Sequence, residues 1–174
     1  MHIERSAMKQ VLDQTFTWSK EQKFLEHSKH DALNSPLIWN LFRHHKFTRI
    51  FATQFIMRFP INIRTILGVR KCHNPKGLAL FSLALLDAYN FTGDHRYLDE
   101  AKSLLSQLLE LRSPGNWQGY CWGYQYPWQD LGFFAPTGTP NAVVTAFVCE
   151  AFLEAYRTIR NDIYLETVRS SANF

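Results

Sequence analysis

Apolar residues recur along most of this chain every three or four positions, which is the spacing of an α-helix that buries one face. The pattern predicts helices over residues 3–16, 19–33, 36–59, 78–91, 96–111, 141–158 and 163–172. Ser35-Pro36 indicates an N-cap followed by proline at the first helical position, and Pro60 should end the helix that they open. No segment alternates with a period of two for long enough to indicate a sheet, so the predicted fold class is all-α.

Two blocks of sequence repeat at a fixed distance. The tetrapeptide LDAY at 86–89 is followed by YLD at 97–99, and LEAY at 153–156 is followed by YLE at 164–166. Both parts of the repeat are offset by 67 residues. Each block predicts a helical hairpin with an apolar inner helix, a polar turn and an amphipathic outer helix. Hairpins of this kind bury their apolar faces by stacking on their neighbours.

Two architectures accommodate such hairpins: an open solenoid of the tetratricopeptide type, and a toroid with long loops at one end. A solenoid requires a further helix pair between the blocks, which five glycines and four prolines in residues 113–141 exclude. We therefore predict stacked helical hairpins that form a partial (α/α)6 toroid. Residues 1–174 are one helical domain in this interpretation, with N-terminal helices over 1–35 and the hairpin array over 36–174. The second block stops at Phe174, short of the length of the first, so we expect an incomplete array.

Residues 113–141, called the aromatic loop below, combine many aromatic rings with a single formal charge. The rings belong to Trp117, Tyr120, Trp122, Tyr124, Tyr126, Trp128, Phe133 and Phe134. A loop of this length is usually functional or disordered, and this one has too much apolar surface to be disordered. Flat rings suit the apolar faces of pyranose sugars, and nearby amides can hydrogen-bond sugar hydroxyls. The same rings would also serve as a lid that plugs the end of a helical barrel, and the sequence leaves both interpretations open.

Asp130 is the one acid in the aromatic loop and is therefore its candidate general acid or base. The alternative is a structural role, in which its carboxylate accepts hydrogen bonds from backbone N–H groups in the turn at Leu131-Gly132. Glycoside hydrolysis commonly uses two carboxyl groups. The second would have to be Asp31, Asp87 or Glu150.

The formal net charge of +4 conceals an uneven distribution of charge along the chain. No acidic residue lies between Asp31 and Asp87. The basic residues of this window are Arg43, Lys46, Arg49, Arg58, Arg64, Arg70, Lys71 and Lys76. A surface of this sign can attract phosphates, anionic lipid headgroups or acidic polysaccharides, or it can remain a solvated face.

The cysteines and the missing motifs exclude several classes of site. Cys72, Cys121 and Cys149 form no CxxC pair, and residues 1–5 lack the layout of a secretory signal, so we expect free thiols and a cytoplasmic location. The histidines are scattered, and no set of acidic residues and cysteines completes a metal site. The chain also lacks a glycine-rich phosphate-binding loop. No metal, no cofactor and no nucleic-acid partner are therefore expected.

Several motifs resemble a family of uncharacterised proteins that are encoded with bacterial and archaeal polysaccharide-biosynthesis genes. The motifs are DALNSP at 31–36, FPINIRTILG at 59–68, NPKGLALF at 74–81, GYCWGY at 119–124, WQ at 128–129 and GTPN at 138–141. The resemblance implies a six-hairpin α/α toroid that is similar in architecture to glycosidases and sugar epimerases and is longer than this chain. It also implies that the cavity is lined by Trp122, Tyr124, Trp128, Gln129, Thr139 and Asn141.

We therefore expect a carbohydrate-active protein of polysaccharide biosynthesis that binds a saccharide or a lipid-linked oligosaccharide in the aromatic loop. If the protein is an enzyme, hydrolysis or epimerisation with Asp130 as acid or base is the expected reaction. The alternative is a non-catalytic scaffold whose basic, aromatic helix over 36–59 docks on a partner or on a membrane surface. A terpenoid-cyclase-like toroid ranks last, because the chain has no Asp-rich motif. Half a toroid exposes an apolar edge, so we also expect a homodimer, or the missing second half of the ring as a partner.

Overall fold

Seven α-helices account for most of the described chain. The computed structural model describes residues 2–174, with side chains from residue 7 onward, so Met1 and the side chains that begin the predicted first helix lie outside it. The helices are α1 (His2–Glu21), α2 (Pro36–Phe42), α3 (Lys46–Arg58), α4 (Pro75–Thr92), α5 (His95–Glu110), α6 (Ala142–Ile159) and α7 (Asp162–Ser171). The predicted all-α class is confirmed. Among the described residues, no helix is long and apolar enough to cross a membrane.

The sequence repeat corresponds to two helical hairpins, α4–α5 and α6–α7, with equivalent caps. Each inner helix begins after an asparagine, Asn74 or Asn141, whose side chain accepts a backbone hydrogen bond from the first helical turn at 3.1 Å. Each inner helix ends at a residue in the left-handed conformation, Gly93 with φ 70° and Arg160 with φ 60°. Both pairs obey the offset of 67 residues. The repeat therefore extends to the helix boundaries.

The two hairpins enclose the larger of two hydrophobic cores. α4 packs against both α5 and α6. Among the side chains buried there are Leu78, Leu85, Leu86, Leu104, Leu105, Leu108, Val148 and Phe152. α1 covers this core with Leu12 and Phe16, and the Phe16 ring centroid lies 5.9 Å from that of Tyr97. Burying one such side chain contributes roughly 1.5–3 kcal/mol, so the hairpins supply most of the hydrophobic stabilisation.

The chain does not form the second helix predicted over residues 19–33. α1 continues to Glu21, and Lys23 and Phe24 then adopt left-handed conformations with φ of 53° and 52°. The chain next becomes extended, and Glu26 pairs with Cys72 in an antiparallel bridge. No proline or glycine ends the helix at this point. The extended conformation is stabilised instead by the pairing with Cys72, which is distant in the sequence.

The single helix predicted over 36–59 is divided into α2 and α3. Side chains from the first turn of α3 satisfy carbonyl groups at the end of α2: Thr48 Oγ1 donates to the Phe42 carbonyl at 3.0 Å, and Arg49 Nη1 donates to the Arg43 carbonyl. These partners allow the helix to break without a proline or a glycine. α2, α3 and their neighbours bury a smaller second core of Ala32, Leu33, Ile38, Ala52, Ile56 and Val69.

Candidate functional site

The aromatic loop follows a defined course although it contains little regular structure. β1 (Trp128–Gln129) and β2 (Phe134–Ala135) form a short antiparallel ladder inside it. Three backbone hydrogen bonds of 2.8–2.9 Å join its segments, from Ser113 N to Cys121 O, from Gly138 N to Tyr124 O and from Asn141 N to Trp122 O. The loop is therefore part of the packed structure.

Trp122 lies in the larger hydrophobic core and not in a cavity. Its side chain is 0% exposed, and its ring centroid is 6.0 Å from that of Phe152. Its indole N–H donates to the Leu108 carbonyl at 2.6 Å. Burial corrects the expectation that Trp122 lines the binding cavity, because neither face of its ring is open to a ligand. Its role is to connect the aromatic loop to the hairpins.

Other rings of the loop line a cleft at the N-terminal ends of α4 and α6. The cleft has a volume of about 510 Å³, which is in the range of small-molecule sites. Its lining, called the aromatic cleft below, consists of Glu26, Ser28, Lys29, His30, Asn74, Lys76, Gly77, Leu80, Tyr124, Tyr126, Trp128 and Asn141. The structure thus brings together Tyr124, Trp128 and Asn141 from the sequence-predicted set.

The rings of the aromatic cleft pack against one another. Tyr124 and Tyr126 stack with their centroids 5.4 Å apart, and Trp128 meets Tyr124 edge-on at 6.2 Å. Phe133 packs edge-on against Trp128 at 5.2 Å. The Tyr126 and Ser28 hydroxyls share a hydrogen bond. These contacts hold the rings in one orientation. Binding of a ligand therefore costs little free energy for ordering these side chains.

Charged and amide side chains at the start of α4 form the opposite part of the cleft lining. Asn74 Nδ2 donates to Glu26 Oε1 at 2.7 Å. The Lys76 ammonium group lies 4.1 Å from the centroid of the Phe147 ring, in a cation–π contact. These contacts orient both side chains before any ligand binds.

His30 contributes an imidazole to the cleft. Burial lowers its pKa below the usual value of 6.5, the nearby Lys29 charge lowers it further, and Asp31 opposes the shift. The ring is therefore neutral at pH 7, where it offers one hydrogen-bond donor and one acceptor.

Gln129 and Thr139 have structural partners and are not part of the aromatic cleft. Gln129 is buried, and its Oε1 accepts a hydrogen bond from Arg49 Nε at 2.9 Å. Its amide group donates to two carbonyls of the β1–β2 turn, at 2.8 Å each. Thr139 Oγ1 donates to the Pro136 carbonyl at 2.7 Å. Both side chains stabilise the loop conformation.

Asp130 caps the turn between β1 and β2. Its Oδ1 accepts hydrogen bonds from Gly132 N at 2.6 Å and from Phe133 N at 2.7 Å. This arrangement is the structural role that the sequence offered beside catalysis. The carboxylate is not part of the aromatic cleft, and its catalytic role stays a prediction.

The other carboxylates considered as catalytic partners are not in the lining of the aromatic cleft. Asp31 is buried, and its Oδ1 accepts a hydrogen bond from Arg64 Nε at 3.0 Å. Asp87 on α4 and Glu150 on α6 are exposed. Among the described residues of the cleft lining, Glu26 is the one carboxylate.

The segment from Glu26 to His30 is the part of the cleft that sequence analysis did not identify. Its residues were expected in a helix. They instead follow the bridge between Glu26 and Cys72 and lie along the wall of the cleft. A signal for Asn74 did exist. Asn74 and Asn141 are 67 residues apart, so the repeat places both N-caps at the same end of the two inner helices.

Within the described residues, no group of three or more His, Cys, Asp or Glu side chains could hold a metal ion. Compared with known proteins, the chain matches no protein-family model, no curated protein and no solved structure.

Proposed function

We propose that this protein binds a saccharide in the aromatic cleft. The observation that carries the proposal is that three rings, two of them packed on Tyr124, and several hydrogen-bonding side chains line one cleft of about 510 Å³. The faces of Tyr124 and Trp128 suit the C–H faces of a pyranose ring. The amides of Asn74 and Asn141 and the neutral imidazole of His30 supply donors and acceptors for its hydroxyl groups.

The charges of the cleft favour an acidic saccharide. Lys29 and Lys76 outnumber the single carboxylate, Glu26. A sugar that carries a carboxylate is therefore expected to bind more tightly than its neutral counterpart at low salt. A saccharide chain and a lipid-linked oligosaccharide both present such sugar units.

A setting in polysaccharide biosynthesis is what the resemblance of the sequence motifs implies, and the arrangement of the hairpins is compatible with the ring fold of that family. α4 and α6 begin at the same cleft and pack side by side, so they are parallel, as neighbouring inner helices of a six-hairpin ring would be. We propose that α4–α7 are two hairpins of an (α/α)6 toroid. The three free cysteines support the cytoplasm as its location, because thiols persist in a reducing compartment.

Catalysis is an extension of this proposal, with Asp130 as the acid or base of hydrolysis or epimerisation. Because Asp130 is not part of the cleft lining, this reaction requires a saccharide chain that extends from the cleft to the turn between β1 and β2. Oδ1 of Asp130 is engaged in the turn, so proton transfer would use Oδ2. The substitution Asp130→Asn is expected to abolish turnover and to retain saccharide binding. Full turnover in this variant would show that Asp130 is not the catalytic group.

Calorimetric titration with neutral and uronic-acid oligosaccharides tests the binding proposal. Trp128→Leu removes a ring from the cleft, and Trp117→Leu removes a ring of the same loop that instead packs on Phe174. We expect Kd to rise about tenfold or more in Trp128→Leu, equivalent to about 1.4 kcal/mol. The Trp117→Leu control should bind as the parent chain does.

A second cleft variant separates binding from stability. A Cβ at Gly77 would make ordinary contacts, the nearest at 3.6 Å from Asn74 Cβ, and alanine favours the helix by up to about 1 kcal/mol. The added methyl group would lie beside Asn74 and Glu26 of the cleft lining and occupy space that a ligand needs. Gly77→Ala is therefore expected to weaken binding without lowering the free energy of unfolding. A flat titration across the panel from folded protein, or affinity unchanged in both cleft variants, would reject the proposal.

A further inference from the structure

α3 carries exposed apolar side chains in addition to those of its buried face. Ala52 and Ile56 face the smaller core and are 5% and 4% exposed. Beside them on the same helix, Phe47, Phe51 and Phe55 are 81%, 63% and 46% exposed. A surface helix normally presents polar residues away from its buried face. The folding of this chain alone therefore does not explain the three exposed rings of α3.

The exposed apolar surface is continuous across two helices. The ring centroids of Phe51 and Phe55 are 6.0 Å apart, and those of Phe55 and Phe59 are 5.2 Å apart. A groove of about 340 Å³ between α2 and α3 is lined by apolar side chains alone. The exposed residues, called the α2–α3 face below, are Leu37, Leu41, Phe47, Phe51, Phe55 and Phe59.

Basic side chains border the α2–α3 face. Arg58 lines a surface cleft together with Phe51, Phe55 and Phe59. Arg43 and Lys46 lie at the junction of α2 and α3. These three basic residues form no salt bridge with the acidic side chains that the structure describes.

The positive charge beside the α2–α3 face distinguishes between its two simplest partners, a second copy of the chain and an anionic phospholipid bilayer. If a second copy of the chain covered this face, Arg43, Lys46 and Arg58 of one copy would approach the same residues of the other. Residues 32–86 contain no acidic side chain that could neutralise these charges. Like charges in apposition oppose such an interface. An anionic phospholipid bilayer supplies the opposite charge at its headgroups and an apolar layer beneath them.

We infer that the α2–α3 face docks on the interface of an anionic phospholipid bilayer. The rings of Phe47, Phe51 and Phe55 enter the region below the headgroups, and Arg43, Lys46 and Arg58 contact lipid phosphates. The protein lies on the bilayer surface in this arrangement and does not span it. The inference concerns a different surface from the aromatic cleft and is independent of saccharide binding.

Vesicle flotation of the full chain tests the inference. Vesicles of phosphatidylcholine alone are compared with vesicles that also contain phosphatidylglycerol. We expect the protein to float with the anionic vesicles, to bind the neutral vesicles at least tenfold more weakly, and to dissociate as the salt concentration rises.

Matched variants on exposed positions locate the contact. Phe47→Ser with Phe51→Ser should weaken vesicle binding by about tenfold per ring, whereas Ile163→Ser, at an exposed position of α7, should leave it unchanged. Lys46→Glu should weaken binding at least fivefold, since one basic residue near the surface contributes about 1 kcal/mol. Arg169→Glu on α7 is its control, with an effect below twofold.

Three results would overturn the inference. The first is equal binding to neutral and anionic vesicles. The second is an equal loss of binding in the face variants and in the α7 controls. The third is a parent chain that floats with neither vesicle but sediments as a dimer, with the dimer dissociating when Phe47 and Phe51 are replaced by serine; this would make the face an interface between two copies.

Discussion

Trp122 joins the aromatic loop to the hairpin core through its ring and through two hydrogen bonds. Besides the indole bond to Leu108, its backbone N–H donates to Thr145 Oγ1 at 3.0 Å. Phenylalanine at position 122 would leave a cavity and a buried Leu108 carbonyl without its donor. We expect Trp122→Phe to lower the free energy of unfolding by about 2–4 kcal/mol, measured by urea denaturation. Trp128→Phe is the control and should cost less than about 1 kcal/mol. A smaller loss at Trp122 than at Trp128 would contradict the core placement.

Burial lowers the reactivity of the free thiols, of which Cys121 is buried and Cys72 and Cys149 are half-buried. Burial raises the pKa of Cys72 to about 12, with the charges of Asp31 and Glu26 adding to the shift, and burial also raises the pKa values of Cys121 and Cys149. Only the thiolate reacts with alkylating agents, and at about pH 8 roughly one Cys72 in ten thousand would be ionised.

Iodoacetamide should therefore modify native Cys72 far more slowly than Cys72 in urea, as measured by mass spectrometry. Because the fraction of thiolate grows with pH below the pKa, the native rate should rise about tenfold per pH unit from about pH 8 to pH 10. A native rate equal to the rate in urea would contradict the burial of this thiol.

The residues of the aromatic cleft could be predicted in part. Tyr124, Trp128 and Asn141 were expected in the cavity because the resemblance implied it, and the concentration of rings and amides in one long loop agreed with that expectation. Trp122 was assigned to the same lining, since an irregular loop has no periodicity that separates inward from outward rings. His30 was missed because its position depends on a pairing between segments that are distant in the sequence.

At the scale of elements, the repeat contains a natural comparison between two helix ends. Gly93 ends α4 and Arg160 ends α6, both in the left-handed conformation and 67 residues apart. Glycine adopts this conformation without the steric cost that a Cβ imposes. A Cβ at Gly93 would have no atom within 4 Å, so alanine there would be disfavoured by the backbone alone.

We expect Gly93→Ala to lower the free energy of unfolding by about 1 kcal/mol. Arg160→Gly should raise it by about 0.5 kcal/mol, because relief of the backbone cost is offset in part by loss of the contact between Arg160 and the Tyr156 ring. Urea denaturation of both variants measures the two changes. Changes of the same sign in the two variants would show that the two helix ends are not equivalent.

The elements that the sequence predicted best are those whose signals are local. The four hairpin helices lie within a few residues of their predicted bounds, because apolar periodicity, asparagine caps and the turn at Gly93 agree there. The break between α2 and α3 was missed, since side-chain hydrogen bonds from Thr48 and Arg49 create it without a helix-breaking residue.

At the scale of the whole molecule, a few contacts join the smaller core to the aromatic loop and the hairpins. The Trp39 and Phe134 rings stack at 5.7 Å, and Arg49 bonds Gln129 across the same junction. The partners of each contact are far apart in the sequence, and no motif signals that they meet. The arrangement of the two units therefore could not be predicted, although most of their helices could.

Asp31 joins two segments beside this junction with a buried carboxylate. Its Oδ1 accepts a hydrogen bond from Arg64 Nε and its Oδ2 accepts one from Ser28 N, both at 3.0 Å. The Arg64 side chain is itself only 16% exposed. Removal of Asp31 leaves this cation with a single hydrogen bond, from Nη2 to the Ser28 carbonyl at 3.4 Å, and leaves the Ser28 N–H without its acceptor. We expect Asp31→Ala to lower the free energy of unfolding by about 3 kcal/mol or more.

A double-mutant cycle with Arg64→Ala, followed by urea denaturation, measures how far the two residues act as a pair. The double variant should lose clearly less than the sum of the single variants, and Arg70→Ala, at an exposed position, should change stability by less than about 0.5 kcal/mol. Because Ser28 lines the aromatic cleft and bonds Asp31, the Asp31 variant should also bind saccharide more weakly. Additive losses with unchanged binding would show that the junction and the cleft are independent.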